Sequence, residues 1–409
     1  MSVIFFEGFN YSSNDLTKLD SNYWSSSDPS QLTYNGGDPS IFGIKGGDLS
    51  IKNRPEGSGL ASNYTLTLSN FNDPLATNNA FGLGFNIGIY ALRINQNFAP
   101  LYAENLVSFH DNNGEVLRID IIKTIYNSAN SIGLGIYQNN ILVDTYDFRN
   151  VPGSTWSIND NLSISTSSYL EIYIDAKNNN QIGIRFSAAS SPNTWLLNTS
   201  NNIYTNITGF DDLDKIIFYS RDYSSGAPFY GSYNMTLDDL YLTGGNSAEE
   251  CLLGGNTRVY SFSTSSNDSA SNDYNNPGNW QPNDGNGWPS YKNMWGNDGD
   301  NKYFYSASSG DTSFFNLSNL DPAAPTGVGG IKLRNVIKKT GGPNVEFINV
   351  MKSAEGDENF VNIGTTHTIN STIYSDKNSF VFTNPITSGN WTKSDIDNMQ
   401  IGIRNLGNV

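Results

Sequence analysis

The sequence predicts an all-β protein built from two sandwiches, and three observations carry that expectation. Aromatic residues make up 13% of the 409 positions, with 23 Tyr and 22 Phe, while hydrophobic types together reach only 37%. Large rings cover a pleated surface, so this balance suits sheets better than helices. The 39 glycines, mixed with abundant Asn and Ser, supply turns. Short apolar–polar alternations recur, as in Glu171-Ile172-Tyr173-Ile174-Asp175, and no segment keeps a long 3.6-residue period. The length exceeds one ordinary core, so two are expected.

Strand candidates begin at once and follow closely: 3–9, 41–44, 49–52, 64–68, 81–90, 106–110, 116–125, 131–138, 141–148, 168–175, 181–186, 215–221 and 235–242. Turn residues such as Asp111-Asn112-Asn113-Gly114 and Lys177-Asn178-Asn179-Asn180 separate them. Two packed antiparallel sheets are the economical solution for residues 1–244. Gly244-Gly245 then frees the backbone, so 245–253 is expected to be a hinge, with a short helical turn over 248–253. A second, smaller sandwich is expected over 254–409. It opens with a polar stretch at 261–300, and its strands are 302–306, 312–317, 330–337, 345–351, 368–374, 380–382 and 400–404. Its end is distinctive: an Asn384-Pro385 turn leads to Trp391, Thr392 or Ser394 caps one helical turn through Met399, and 400–404 closes as a strand.

Charge excludes one class of partner. With 39 Asp and Glu against 23 Lys and Arg the formal charge is −16, and nucleic-acid backbone needs clustered cations. Cys251 is alone, so no internal disulfide or cysteine metal site forms. The start lacks the basic and apolar regions of a signal peptide, and no stretch reaches membrane-spanning length, so folding in a cytosol is expected.

A retaining glycosidase needs two carboxylates about 5 Å apart, but Glu171 and Asp175 lie about 13 Å apart at strand rise. They read as solvent-facing strand charges. Acidic turns at Asp211-Asp212-Leu213-Asp214, Asp238-Asp239 and Asn297-Asp298-Gly299-Asp300 suit calcium, with Asp298 and Asp300 the pair that would hold it. None has calcium-loop spacing, and acidic turns also belong to any anionic β-protein. His110 and His367 are the only histidines and fit no metal or relay pattern, so both read as structural. Trp280, Trp288, Tyr291 and Trp295 sit in polar surroundings where their rings could stack on sugars or fill an interface.

Two resemblances add to this. The opening Phe5-Phe6-Glu7-Gly8-Phe9, then Leu19-Asp20, Tyr23-Trp24 and the closing 235–242 strand resemble the concanavalin-A-like, or laminin-G-like, jelly roll over residues 1–244. That superfamily commonly pairs its first and last strands. The second unit, through Asn276-Pro277, Asn297 to Ser306, Phe314-Phe315, Gly330 to Val336 and the Trp391-Thr392 ending, is similar over 254–406 to a β-domain of tailed-bacteriophage virion structural proteins. Asn384 and Arg404 stand where acidic residues are common in that family. The resemblance implies a non-enzymatic virion surface protein, a capsid decoration or tail appendage subunit, assembled in the host cytoplasm. Its partners would be other virion proteins and copies of itself, with glycans as a further contact. No membrane and no cofactor are implied, apart from the calcium considered above. The alternative is a lectin or glycoside hydrolase on the concanavalin-A-like scaffold.

Overall fold

A computed structural model of the chain describes residues 2–8, 23–27, 32–35, 48–51, 63–94, 103–126, 129–147, 163–188, 204–221, 229–230, 234–253, 264–267, 280–282, 304–317, 320, 327–354 and 356–409. The chain divides into two compact units, with the boundary between Val259 and Tyr260. Of the expected elements, the strand at 41–44 lies outside the described residues.

The first unit runs β1 (Ser2–Glu7), β2 (Trp24–Ser26), β3 (Leu32–Asn35), β4 (Asp48–Ile51), β5 (Asn63–Ser69), β6 (Ala80–Ile94), β7 (Ala103–Asp111) and β8 (Gly114–Tyr126). It continues with β9 (Ala129–Gln138), β10 (Ile141–Asp147), β11 (Ser163–Asp175), β12 (Gln181–Ala188), β13 (Tyr204–Asn206), β14 (Lys215–Arg221), β15 (Phe229–Tyr230) and β16 (Asn234–Gly245). A nine-stranded sheet has the order β13-β12-β11-β6-β16-β4-β3, with β1 on β16 and β15 on β6. A seven-stranded sheet has the order β10-β9-β8-β7-β14-β5-β2. The first and last strands pair antiparallel, Ser2 opposite Gly244 and Glu7 opposite Leu240, as the jelly-roll resemblance implied.

Alternation explains the core. Phe81, Leu83 and Phe85 of β6 and Leu170, Ile172 and Ile174 of β11 are fully buried, as are Phe109, Leu117, Ile119 and Phe218 from the other sheet. Rings meet across the gap: Phe81 lies 5.7 Å from Phe109, and Phe85 lies edge-on 5.3 Å from Phe218. At the open side of the sandwich, Thr205 of β13 donates to Asp144 of β10 at 2.8 Å and Tyr146 bonds both, tying the two edge strands together.

The outer face of the nine-stranded sheet is buried as well, and this corrects two expectations. Glu171 and Asp175 are not solvent-facing charges, since each is only 1% exposed. Glu171 accepts the Tyr241 hydroxyl, while Asp175 accepts Asn178 N at 2.9 Å and Asn179 Nδ2 at 2.8 Å in the turn beyond its strand. Tyr241 can lie over β6 because its register neighbour is Gly84, where a Cβ would strike the Tyr241 ring. The expected hinge packs on the same face. Ser247 caps α1 (Ala248–Cys251), and Cys251 is fully buried against Ala80 and Tyr173. Gly245 is therefore required for close approach rather than freedom, because a Cβ there would lie 2.9 Å from Cys251 Sγ. Burial pushes the Cys251 thiol up to about 12, so it stays protonated and inert.

The second unit is a smaller β-sandwich. Its strands are β17 (Thr264–Asn267), β18 (Gln281–Pro282), β19 (Phe304–Tyr305), β20 (Thr312–Leu317), β21 (Gly327–Val328), β22 (Ile331–Ile337), β23 (Val345–Lys352), β24 (Val361–Ile369), β25 (Ser375–Val381), β26 (Trp391–Thr392) and β27 (Gln400–Asn408). A five-stranded sheet of order β17-β20-β27-β23-β24 packs over the β22–β25 pair. The expected strand at 368–374 is corrected: β24 ends at Ile369, and the residues after it turn into β25. Alternation at 361–369 carries too few apolar side chains to announce β24.

The closing segment forms as the sequence implied. Thr392 and Asp395 make a reciprocal capping box on α2 (Lys393–Asn398). Trp391 is 1% exposed among Ile331, Met351, Val381 and Ile396, and its indole donates to Val381 O at 3.0 Å. Asn384 holds the turn by accepting from Ile386 N and Thr387 N, which an amide oxygen does as well as a carboxylate. Trp391→Ala is expected to cost the second unit about 3–5 kcal/mol through the cavity it leaves. Chemical denaturation followed by the remaining second-unit signal checks this, and an unchanged midpoint would place the ring outside the core.

Candidate functional site

Of the sequence-selected site residues, Trp280 alone lies among the described ones. Trp280 is buried at 9% exposure in a core with Ile337, Phe347, Ile369 and Ile403, and its indole donates to Asp311 O at 3.3 Å. It is therefore a core residue rather than a surface contact; its polar sequence neighbours gave no sign of this. Trp288, Tyr291, Trp295, Asp298 and Asp300 lie outside the described residues. Asp238 and Asp239 form a bulge in β16, with Asp239 at φ 49°. Asp212 accepts from Asn112, fastening its loop to the β7–β8 turn. Among the described residues no group of three or more His, Cys, Asp or Glu could hold a metal ion.

A different set converges on the outer face of the seven-stranded sheet. Tyr137, Arg118, Ser108 and Ile217 stand in one row across β9, β8, β7 and β14. Because Phe109 and Phe218 point inward, Ser108, His110 and Tyr219 point out. A register shift between Phe109 and His110 leaves Val116 unopposed and sets Glu115 opposite His110, on the Arg118 side. Simple alternation from Arg118 would have sent Glu115 to the core.

Arg118 organises one half of the cluster. Its Nε donates to both Asp120 oxygens at 2.9 and 3.0 Å, and its Nη1 donates to Glu115 Oε1 at 2.6 Å and Asn140 Oδ1 at 3.0 Å. The guanidinium also lies 4.8 Å from the Tyr137 ring centre. Burial pushes Asp120 up to about 6, against the opposing pull of Arg118. Burial opposes the charge of Arg118 too, but Asp120 and Glu115 outweigh it and hold the guanidinium above its ordinary value.

The other half is a hydroxyl chain. Ser108 Oγ lies 2.7 Å from His110 Nε2 and 2.9 Å from the Tyr219 hydroxyl. Burial, then Lys215, lowers the His110 pKa against the opposite pull of Asp111 and Asp214, so the imidazole is neutral at pH 7. Burial raises Tyr219, keeping its phenol protonated, and raises Tyr137 as well. A neutral imidazole and a protonated phenol joined through one serine can pass a proton between them. Ser108 and Asp120 are fully buried and His110 nearly so, while Arg118, Tyr137 and Tyr219 keep partial exposure. Beside the ends of β7 and β8 lies a cleft of ≈ 400 Å³ lined by Asp111, Gln138, Thr208, Phe210, Asp211 and Asp212. Gln138 holds one wall in place by bonding both N and O of Thr208.

No protein-family model matches the chain, and none of the curated proteins does. Solved structures that it is similar to include an alginate lyase from Klebsiella pneumoniae, with TM-score 0.33, 12% identity and coverage of 56% of this chain and 98% of that one. An endo-β-1,4-glucuronan lyase from the fungus Trichoderma reesei has TM-score 0.31 and 11% identity, covering 62% and 98%. A legume lectin-like domain from Entamoeba histolytica has TM-score 0.29 and 11% identity, covering 57% and 99%. At these identities the likeness concerns fold. Polysaccharide lyases among these similar structures run against the expectation of a non-enzymatic chain, which is not carried further.

Asp120 generates a pH prediction. Its unfolded value of 3.8 lies below its folded value of about 6, so in that window the folded chain holds a proton that the unfolded chain has released. Stability contributed by this group is complete below the lower value, falls as pH rises through the window, and is flat above the upper one. Urea midpoints measured across that range should show this decline in the wild type but not in Asp120→Asn. Parallel curves for the two proteins would remove the shift.

Proposed function

We propose that the first unit binds a polysaccharide at the outer face of its seven-stranded sheet and cleaves it by acid–base elimination. The Tyr219–Ser108–His110 chain carries this reading. Hydrolysis by a carboxylate pair is disfavoured because Arg118 engages both Glu115 and Asp120, leaving neither to act as nucleophile. Elimination asks for a base and an acid instead. In this reading neutral His110 takes the proton from a carbon next to a sugar carboxyl group. The released electron pair forms a carbon–carbon double bond, and the glycosidic oxygen departs with a proton from Tyr219. Ser108 then returns the proton from His110 to Tyr219, restoring both groups. Arg118 and Asp120 orient the face and keep Tyr137 in place.

Alginate and glucuronan, the polymers after which two of the similar lyases are named, are the ones to test first. Ultraviolet absorbance of the new double bond should rise with wild-type protein, and Tyr219→Phe and His110→Gln should each lower the rate by about 10²–10⁴-fold with the fold retained. No product from either polymer, or full activity in both variants, would overturn the reading.

A second reading concerns where the chain works. The capped Trp391-Thr392 ending, formed as its sequence implied, favours carriage on a tailed-phage virion, where other virion proteins and further copies would be its partners. Mass spectrometry of purified particles should detect the chain at structural copy number; its absence from intact particles would reject this reading.

A further inference from the structure

The second unit has a face that neither reading uses. In the β22–β25 pair, Ile331 and Ile337 of β22 and Val381 of β25 turn into the core, so Lys332, Arg334, Val336, Phe380 and Phe382 occupy the opposite face. Lys332 Nζ lies 5.6 Å from the centre of its register partner Phe380. Just beyond the strands, Lys338 Nζ lies 4.4 Å from the Tyr374 ring. Phe380 and Phe382 stack at 6.2 Å with an interplanar angle of 15°. Val336, between Arg334 and Lys338 along the chain, is 56% exposed and Ile373 beside Tyr374 is 77% exposed.

Composition makes this face unusual for the chain. Residues 331–340 hold four of the 23 Lys and Arg and no acidic residue, in a protein of net charge −16. One of the four, Lys339, bonds Gly342 O and Asn344 Oδ1 in the following turn. The other three share a face with three aromatic rings, and Asp376, opposite Val336, is the one acidic residue in the two strands.

We infer that this cation–aromatic stripe is a binding surface for an extended anionic polysaccharide. The charge calls for an anionic partner, because this face gathers three cations on a chain of net charge −16. The rings select among anions. The ring edges, with exposed Val336 and Ile373, meet the CH faces of sugars, and the cations over Phe380 and Tyr374 meet a carboxylate or sulfate of the polymer. A strand pair presents these groups in a line, which suits a linear chain better than a compact ligand. The inference does not depend on cleavage at the jelly-roll face, since binding here needs no proton transfer.

Affinity electrophoresis of the full chain tests it, with alginate as the anionic polymer and dextran as the neutral control. Alginate should retard the wild type and dextran should not. The double variant Lys332→Gln/Lys338→Gln should weaken retardation by about tenfold, as expected for two half-buried charge contacts. Phe380→Ala should weaken it too, and added salt should reduce wild-type binding. Release of unsaturated product is scored on the same samples, which separates failure here from failure of the cleavage reading. The inference is overturned if the stripe variants, shown folded by circular dichroism, bind alginate like the wild type. It is also overturned if alginate never retards the chain, or if the variants abolish only self-association measured by sedimentation, which would make a second copy the partner.

Discussion

The ring contacts between the two sheets of the jelly roll fix almost everything else in the first unit. Phe81 and Phe85 on one sheet meet Phe109 and Phe218 on the other. Side chains alternate with a period of two, so once those phenylalanines point inward their neighbours have no freedom left. Ser108, His110 and Tyr219 must face outward on adjacent strands, and a slip of one residue would put these three side chains in the core and the rings in water.

Alternation alone would still have given a weaker cluster. The register shift between Phe109 and His110 adds one residue, Val116, and so returns Glu115 to the face it would otherwise leave. Arg118 then meets two carboxylates, and its sheltered position strengthens each interaction. The same shelter opposes charge on Asp120 and His110, so their perturbed titration follows from the site's location. Such perturbation is common where proton transfer occurs, because a group set near neutral pH can both give and take a proton.

Both units bury polar residues that would look like surface groups in a linear reading. Glu171 sits beneath Tyr241 on the outer face of the nine-stranded sheet, which the segment through Cys251 covers. Trp280 comes from a polar stretch yet fills a core in the second unit. In each case the covering group is remote in sequence, so the surroundings of a residue along the chain say little about its surroundings in space.

The sequence by itself determined the all-β class, the order of two sandwiches, most strand positions and the capped Trp391-Thr392 ending. Each of these is set by local chemistry: alternation, turn residues and a capping box lie within a few positions of one another. Strand β24 escaped notice because its apolar side chains are sparse. The candidate site was illegible for a different reason. Ser108 and Tyr219 are 111 positions apart and meet only because β14 inserts beside β7 in the sheet order. Tertiary structure alone decided which strands became neighbours, where the bulge fell and which faces were covered. These outcomes depend on packing between distant segments, and the linear pattern of any one segment does not encode them.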